Sequence, residues 1–183
     1  MMQHGSTRSK QRPDRIIFGV DPGVAIVGYA VIKQGKEKLA CLACSAVRTP
    51  AHLPLAERLL LIYQQIAELL AVYQPTEAAM ETLYFGRNTT TALPVAHARG
   101  VIMLAMKEHG LTVAEYSPSQ VKLAVTGYGK ATKGQVGHMV QILLSMQCIP
   151  RPDDAADAAA VAICHAHTSA LRARIAGYEV TDR

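Results

Sequence analysis

Short apolar segments separated by turn-forming residues open the chain. Valine and isoleucine dominate these segments and in places alternate with polar residues, a pattern typical of β-strands. We predict three strands, at residues 15–21, 26–33 and 38–47. Gly35 marks a turn between the second and the third, so the pattern indicates an antiparallel meander.

Helical and strand-like patterns then alternate along the rest of the chain. Apolar residues recur at helical spacing from Leu55 to Tyr73, and Pro75 ends that helix. The later predictions follow in chain order: a strand at 77–83, a helix at 89–109, a strand at 111–116, helices at 120–125 and 139–145, and a helix at 153–175. An antiparallel start followed by strand–helix units predicts an α/β fold, with a mixed sheet and helices on both faces.

Three residues bear on the helix predicted at 89–109. Asn88 is a plausible N-cap, and Gly110 is a plausible C-terminal stop. Pro94 lies several residues inside the helix and has no N–H group, so we expect it to delay the start of the helix or to kink it.

The composition favours one folded domain. Half of the 183 residues are hydrophobic and 18% are charged, which excludes a disordered chain. We expect a flexible basic extension at residues 1–14, a domain at 15–175 and a tail at 176–183. The net charge of +5 and the isoelectric point of about 9.1 permit a polyanionic partner without requiring one.

The cysteines favour a reducing compartment. Cys41 and Cys44 have no second cysteine or histidine pair at zinc-binding spacing, and residues three apart on a strand point to opposite faces. We therefore expect them, with Cys148 and Cys164, to be buried free thiols in a cytoplasmic protein. Residues 1–15 are polar and basic and lack an apolar core, so we expect no secretory signal and no membrane span.

Two carboxylates come at or near the ends of apolar strands. Asp21 precedes Pro22 and Gly23, and Glu81 follows three apolar residues. Ordinary explanations exist for each, because aspartate is common in turns and glutamate is common on the solvent face of a strand. However, a carboxylate on an apolar scaffold is costly unless it is solvated, paired or bound to a cation, so a metal site is a further interpretation.

Three more carboxylates begin the last predicted helix. Asp153 and Asp154 suit a first turn, where acidic side chains cap free amides and complement the helix dipole. Asp157 lies in the second turn among alanines and is less easily explained in this way. Both 153 and 154 share a helix face with 157, so the spacing does not choose between them. The alanines allow this helix to pack closely on a sheet, which would bring Asp157 towards Asp21 and Glu81.

A basic, glycine-rich stretch precedes that helix, and we expect it to be largely a loop. Its cationic candidates are Lys122, Lys130, Lys133 and His138, interspersed with Gly127, Gly129, Gly134 and Gly137. Lysines neutralise phosphate, and glycines allow a backbone to approach a ligand closely. Carboxylates for a cation together with lysines for phosphate indicate metal-assisted hydrolysis of a phosphodiester.

Several motifs resemble one known family, the RuvC-type Holliday junction resolvases of the RNase H-like superfamily. The resemblance extends from about Ile16 to His167. It is carried by Gly19-Val20-Asp21-Pro22-Gly23, Glu81 followed by Tyr84 and Asn88, Ala98-Arg99-Gly100, Gln120-Val121-Lys122, and Asp154-Ala155-Ala156-Asp157. Each string alone is weak, but the set is specific.

The resemblance implies a role for each candidate residue. It implies a catalytic tetrad that binds two Mg²⁺ ions, with Mn²⁺ able to substitute, and it selects Asp154 over Asp153. The implied tetrad is Asp21, Glu81, Asp154 and Asp157. Lys122 and Lys133 match lysines that contact DNA near the active site, and Lys130 is a further DNA-binding candidate. Tyr84 replaces a residue that is typically phenylalanine and is expected to stack on bases at the junction.

The resemblance also implies an architecture and partners. The expected sheet has five strands in the order 3-2-1-4-5, flanked by helices on both faces. The expected enzyme is a homodimer that cuts two strands of a four-way DNA junction during recombination and repair, with RuvA and RuvB as partners. The main alternative is another RNase H-like nuclease that acts on RNA or flaps. An actin-like ATPase and a non-catalytic junction-binding module fit the sequence less well.

Overall fold

The computed structural model describes residues 14–36, 38–82 and 89–179. The predicted extension at 1–14 therefore lies almost entirely outside the described residues, as do Tyr84 and Asn88. Five strands are present: β1 (Arg15–Asp21), β2 (Ile26–Gln34), β3 (Leu39–Arg48), β4 (Glu77–Glu81) and β5 (Val113–Tyr116). The same described ranges contain five helices: α1 (Leu55–Tyr73), α2 (Thr89–Glu108), α3 (Pro118–Thr126), α4 (Lys133–Leu143) and α5 (Asp153–Glu179).

The strands form one mixed sheet in the order β3-β2-β1-β4-β5, which confirms the expected order. β1, β2 and β3 pair antiparallel, whereas β1 with β4 and β4 with β5 pair parallel. The carboxyl ends of β1, β4 and β5 therefore lie along the same edge of the sheet. This edge is where the candidate site is found.

Helices cover both faces of the sheet, as predicted. Alternate residues of β1 face opposite sides: Ile17 packs towards α3, α4 and α5, whereas Phe18 and Val20 pack towards α1 and α2. Each side has its own apolar core of fully buried aliphatic side chains. In the part of the chain that the structure describes, no helix is both long enough and apolar enough to cross a membrane.

α4 begins at Lys133, six residues before the predicted helix at 139–145, and it ends at Leu143. The prediction was wrong because Gly134 and Gly137 were assigned to a loop. Thr132 caps the helix: its hydroxyl accepts a hydrogen bond from the Gln135 N–H, and the Gln135 side chain accepts one from the Thr132 N–H. This reciprocal capping box offsets the glycine cost at the first turn.

α2 spans Thr89–Glu108, which confirms the helix predicted at 89–109. It begins at Thr89, so Pro94 lies within the helix and does not delay its start. Gly110 adopts a left-handed backbone with φ of 75° just beyond the end of the helix, which confirms it as the stop.

The predicted placement of Cys41 and Cys44 on opposite faces is wrong. β3 carries a bulge: Val31 pairs with Ala43 and Ile32 pairs with Cys41, which leaves Leu42 as an extra residue. The extra residue restores both thiols to the face that packs towards α5. Both are half-buried, Cys148 is exposed and only Cys164 is fully buried, so the expectation of burial holds for one cysteine; all four are free thiols.

Candidate active site

Asp21 and Glu81 leave neighbouring strands at the same edge of the sheet. Asp21 is the last residue of β1 and Glu81 is the last residue of β4. These strands pair in parallel, with Val20 opposite Met80, so the two carboxylates follow directly opposite positions. Both side chains are partly buried at this edge.

α5 brings two further carboxylates to this edge because its backbone rests directly on glycines of the sheet. A Cβ atom on Gly28 would lie only 1.9 Å from the Asp154 carbonyl oxygen, and one on Gly19 would lie 2.4 Å from the Ala158 carbonyl oxygen. Gly28 is also the register partner of Asp21. A side chain at Gly19 or Gly28 would therefore push α5 away from β1 or β2, respectively.

The pKa shifts show that the four carboxylates form one electrostatic cluster. Burial raises the pKa of Asp21 to about 7, with further upward contributions from Asp157, Glu81 and Asp154. Burial and then Asp157 also raise the pKa of Glu81. Neighbouring negative charges favour the protonated form of each carboxyl group. A nearby positive charge would therefore stabilise the ionised cluster.

Asp153 lies outside this cluster. It is exposed and forms an ion pair with Arg151. Sequence spacing left Asp153 and Asp154 as equal candidates, whereas the fold directs Asp154 towards Asp21. Asp153 is therefore a matched comparison for Asp154.

Lys133 supplies part of the positive charge. Its Nζ atom lies 2.7 Å from Asp157 Oδ2, and its charge lowers the pKa of both Asp21 and Glu81. Asp157 in turn raises the pKa of Lys133 through this hydrogen bond. Lys133 reaches the cluster because it is the first residue of α4, where the capping box fixes the turn of the helix.

A cleft of about 230 Å³ lies beside the carboxylates. Lys122 lines it together with Glu81, Lys133 and Asp157, and its other walls are Pro118, Val121, Val136 and Ala160. The charge on Lys122 lowers the pKa of Glu81. Lys130 is exposed in the connection between α3 and α4. The candidate Tyr84 lies outside the described residues.

The carboxylates offer hard oxygen donors of the kind that Mg²⁺ and Mn²⁺ prefer. Among the described side chains, no three histidine, cysteine, aspartate or glutamate residues are positioned to hold a metal ion together. Like-charged carboxylates without a cation repel one another, and Lys133 already occupies one oxygen of Asp157. The donor set suits a divalent cation held by oxygens.

Arg99 is a supporting residue whose role sequence reasoning did not identify. This buried side chain on α2 donates a hydrogen bond to the Glu81 carbonyl oxygen at 2.6 Å and forms an ion pair with Glu115 at 2.5 Å. It therefore connects α2 with the ends of β4 and β5 and fixes the backbone from which the Glu81 side chain projects. The string Ala98-Arg99-Gly100 marked this residue in the sequence, but it did not indicate which groups Arg99 contacts.

Two histidines, His138 and His165, differ in setting. His138 is exposed on α4. His165 is buried, with Nδ1 at 2.8 Å from the Tyr116 hydroxyl and Nε2 at 2.7 Å from Glu77 Oε2. Glu77 begins β4, at the end of that strand opposite Glu81. His165 therefore joins α5 to the sheet away from the carboxylate cluster.

Comparison with known proteins identifies the family. The family described as crossover junction endodeoxyribonuclease RuvC matches residues 17–165, a span that contains the four clustered carboxylates. This chain belongs to the RuvC family. RuvC proteins are metal-dependent nucleases, in agreement with the donor set at the edge of the sheet.

RuvC proteins from bacteria are similar over most of the chain. The protein from Heliobacterium modesticaldum is 55% identical over 153 residues, covering 84% of this chain and 94% of the relative. The protein from Desulfitobacterium hafniense is 51% identical over 162 residues, covering 88% and 98%.

Solved RuvC structures also share the fold. The Thermus thermophilus RuvC structure is 34% identical with a TM-score of 0.78, covering 85% of this chain and 96% of that one. The same protein has been solved in complex with a Holliday junction substrate, at 32% identity, a TM-score of 0.78 and coverage of 86% and 96%.

Proposed function

We propose that this RuvC-family chain resolves four-way DNA junctions by paired symmetric nicks during recombination and repair. The observation that carries the proposal is the carboxylate cluster with two lysines at one edge of the sheet. A similar protein has been solved with a Holliday junction substrate, which supports the choice of DNA substrate. The chain is accordingly a phosphodiester hydrolase, a crossover junction endodeoxyribonuclease.

In this proposal Asp21, Glu81, Asp154 and Asp157 are the catalytic and metal-binding residues. They would hold two Mg²⁺ ions per subunit, with Mn²⁺ able to substitute. When bound, such cations supply an activated water and neutralise charge that develops on the phosphate. Asp21 holds a cation only when ionised, so its raised pKa couples cation binding to proton release.

The lysines position the DNA in this proposal. Lys122 and Lys133 line the cleft beside Glu81 and Asp157, where they would contact the phosphate being cut. Lys133 would exchange its contact with Asp157 for one with the phosphate. Lys130 would contact the backbone further from the cut. Tyr84 remains a DNA-stacking candidate by family resemblance alone.

The decisive experiment compares neighbouring aspartates. Asp154→Asn and Asp21→Asn should retain binding to a synthetic four-way junction while losing cleavage in Mg²⁺. Asp153→Asn is the matched control and should cleave like the unaltered protein, because Asp153 is exposed and pairs with Arg151. Cleavage retained by Asp21→Asn would overturn the assignment. Preferential cutting of an RNA–DNA hybrid or a flap would instead favour another RNase H-like nuclease.

We also propose that the protein acts as a homodimer through the exposed face of α2. Leu93, His97, Gly100 and Leu104 share this face, and the two leucines are 62% and 54% exposed. A Cβ atom on Gly100 would meet nothing within 4 Å, so the glycine leaves room for close approach of a second helix. A two-fold dimer matches the symmetry of a junction cut on two strands.

Sedimentation velocity tests the dimer. Leu104→Lys should yield monomers that bind junctions weakly. Leu60→Lys, at a similarly exposed position on α1, should remain dimeric. Dimers that persist with Leu104→Lys would exclude this face.

The cellular setting is proposed from family resemblance. The protein would act in the cytoplasm together with RuvA and RuvB. Its nuclease domain would span residues 15–175, with an extension at 1–14 and a tail at 176–183 outside it. The partnership is tested by pulling down the tagged chain in the presence of junction DNA. Recovery of RuvA and RuvB with the chain would support it, and recovery of neither would contradict it.

A further inference from the structure

The segment between β5 and α5 carries only positive charge. Residues 117–152, called the basic lobe here, contain no aspartate or glutamate. They include Lys122, Lys130, Lys133 and Arg151. Acidic residues flank the lobe on both sides, at Glu115 and Asp153. A surface that carries only positive charge attracts nucleic acid. When it lies next to a site that cuts phosphodiesters, it can contact phosphates and bases beyond the cleaved phosphate.

One aromatic ring is exposed within this lobe. Tyr128 is 58% exposed in the loop between α3 and α4, flanked by Gly127 and Gly129. Lys130 follows two residues later, and the loop leads directly to Lys133 at the carboxylate cluster. The ring therefore lies on the chain segment that joins the two lysines of the cleft.

The backbone of Tyr128 is held in place by hydrogen bonds. Its N–H donates to the Thr126 hydroxyl at 3.1 Å, and its carbonyl accepts from the Ala131 N–H at 3.1 Å. Gly127 has a φ of 75° and ends α3 with a left-handed turn that favours glycine. Ala131 is buried in the core beneath the loop. The exposed ring is thus carried by a loop whose backbone is held by hydrogen bonds.

We propose that Tyr128 is a DNA-binding residue that stacks on an unstacked base close to the cleaved phosphate, while Lys130 neutralises an adjacent phosphate. This inference rests on the proposed function. Exposed rings among cations bind bases that have lost a stacking partner, and bases at a branch point have an exposed face. The contact is one of ring and base, so the tyrosine hydroxyl is dispensable and no phosphate charge is neutralised by it.

The test measures affinity for a synthetic four-way junction by fluorescence anisotropy in EDTA, over a series of salt concentrations. Tyr128→Ala and Tyr128→Leu should weaken binding roughly 5- to 150-fold, in line with the loss of one stacked base. Tyr128→Phe should bind like the unaltered chain. Leu60→Ala, at an exposed apolar position on α1, is the control and should also bind unchanged.

Salt dependence separates stacking from charge. Lys130→Gln should reduce the slope of log Kd against log salt by about 0.9, whereas Tyr128→Ala should leave the slope unchanged. The inference is overturned if Tyr128→Ala binds within twofold of the unaltered chain, if Tyr128→Phe is as weak as Tyr128→Ala, or if Tyr128→Ala lowers the slope. If the unaltered chain fails to cut junctions in Mg²⁺, the proposed function fails instead. The two failures are therefore distinguishable.

Discussion

Lys133 Nζ lies 2.7 Å from Asp157 Oδ2, so the first residue of α4 contacts the second turn of α5 within the carboxylate cluster. The Lys133 side chain is 69% exposed, whereas that of Asp157 is 23% exposed. The protein thus keeps a positive charge beside carboxylates that otherwise repel one another.

Replacement of Lys133 by methionine should lower the rate of junction cleavage by about 100-fold or more, because a cation aimed at the developing charge of the phosphate is lost. Single-turnover cleavage at saturating protein measures this rate. Lys130→Met should change that rate little and affect affinity instead. Equal rates for both variants would contradict the distinct placement of the two lysines.

The raised pKa of Asp21 predicts an unusual dependence of stability on pH. The folded state holds a proton on Asp21 up to about pH 7, whereas the unfolded chain releases it near the usual aspartate pKa of 3.8. Between these values the folded state binds more protons, so in EDTA the free energy of unfolding should fall by a few kcal/mol as pH rises through this range. Urea denaturation at several pH values tests this prediction.

In the same measurement Asp21→Asn should be more stable than the unaltered protein at pH 7.5 and should lose most of this pH dependence. Asp153→Asn should keep it. A stability profile shared by all three proteins would contradict the placement of Asp21 in a buried cluster.

A single methyl group should displace α5. Gly28→Ala places a Cβ atom against the Asp154 carbonyl oxygen, so α5 must move away from Asp21. We expect loss of cleavage together with a lower melting temperature. Gly134→Ala is the control: its Cβ meets nothing within 4 Å, and alanine should stabilise α4 by up to about 1 kcal/mol without loss of cleavage. Normal activity of Gly28→Ala would show that α5 does not rest on the sheet as described.

Loss of Arg99 should affect both stability and the metal requirement. Arg99→Met removes the hydrogen bond to the Glu81 carbonyl and the ion pair with Glu115, which should cost about 1.5–3 kcal/mol of folding free energy. With β4 less firmly held, half-maximal cleavage should need more Mg²⁺. Arg58→Met on α1, which removes a hydrogen bond to Thr49 elsewhere in the fold, should leave the Mg²⁺ requirement unchanged.

The sequence patterns were sufficient for features that depend on periodicity. The strand-end position of Asp21 followed from an apolar run, the strand predicted at 77–83 placed Glu81 within it or at its end, and family resemblance supplied the strand order. The start of α4 was missed although Thr132 and Gln135 form a recognisable capping box, because nearby glycines were given more weight. The bulge at Leu42 and the contacts of Arg99 depend on interactions between segments that are distant in the sequence. They could therefore not be predicted from local sequence patterns.

The direct contact between α5 and the sheet has a consequence for how the site can vary. Where Gly28 meets Asp154, main chain touches main chain, and no side chain acts as an adjustable spacer. At this point the separation between β2 and α5 is therefore set by backbone contact rather than by side chains of the surrounding cores. The position of Asp154 relative to Asp21 is thus tied to the position of α5, so a change in that position requires movement of the whole helix rather than replacement of a neighbouring side chain.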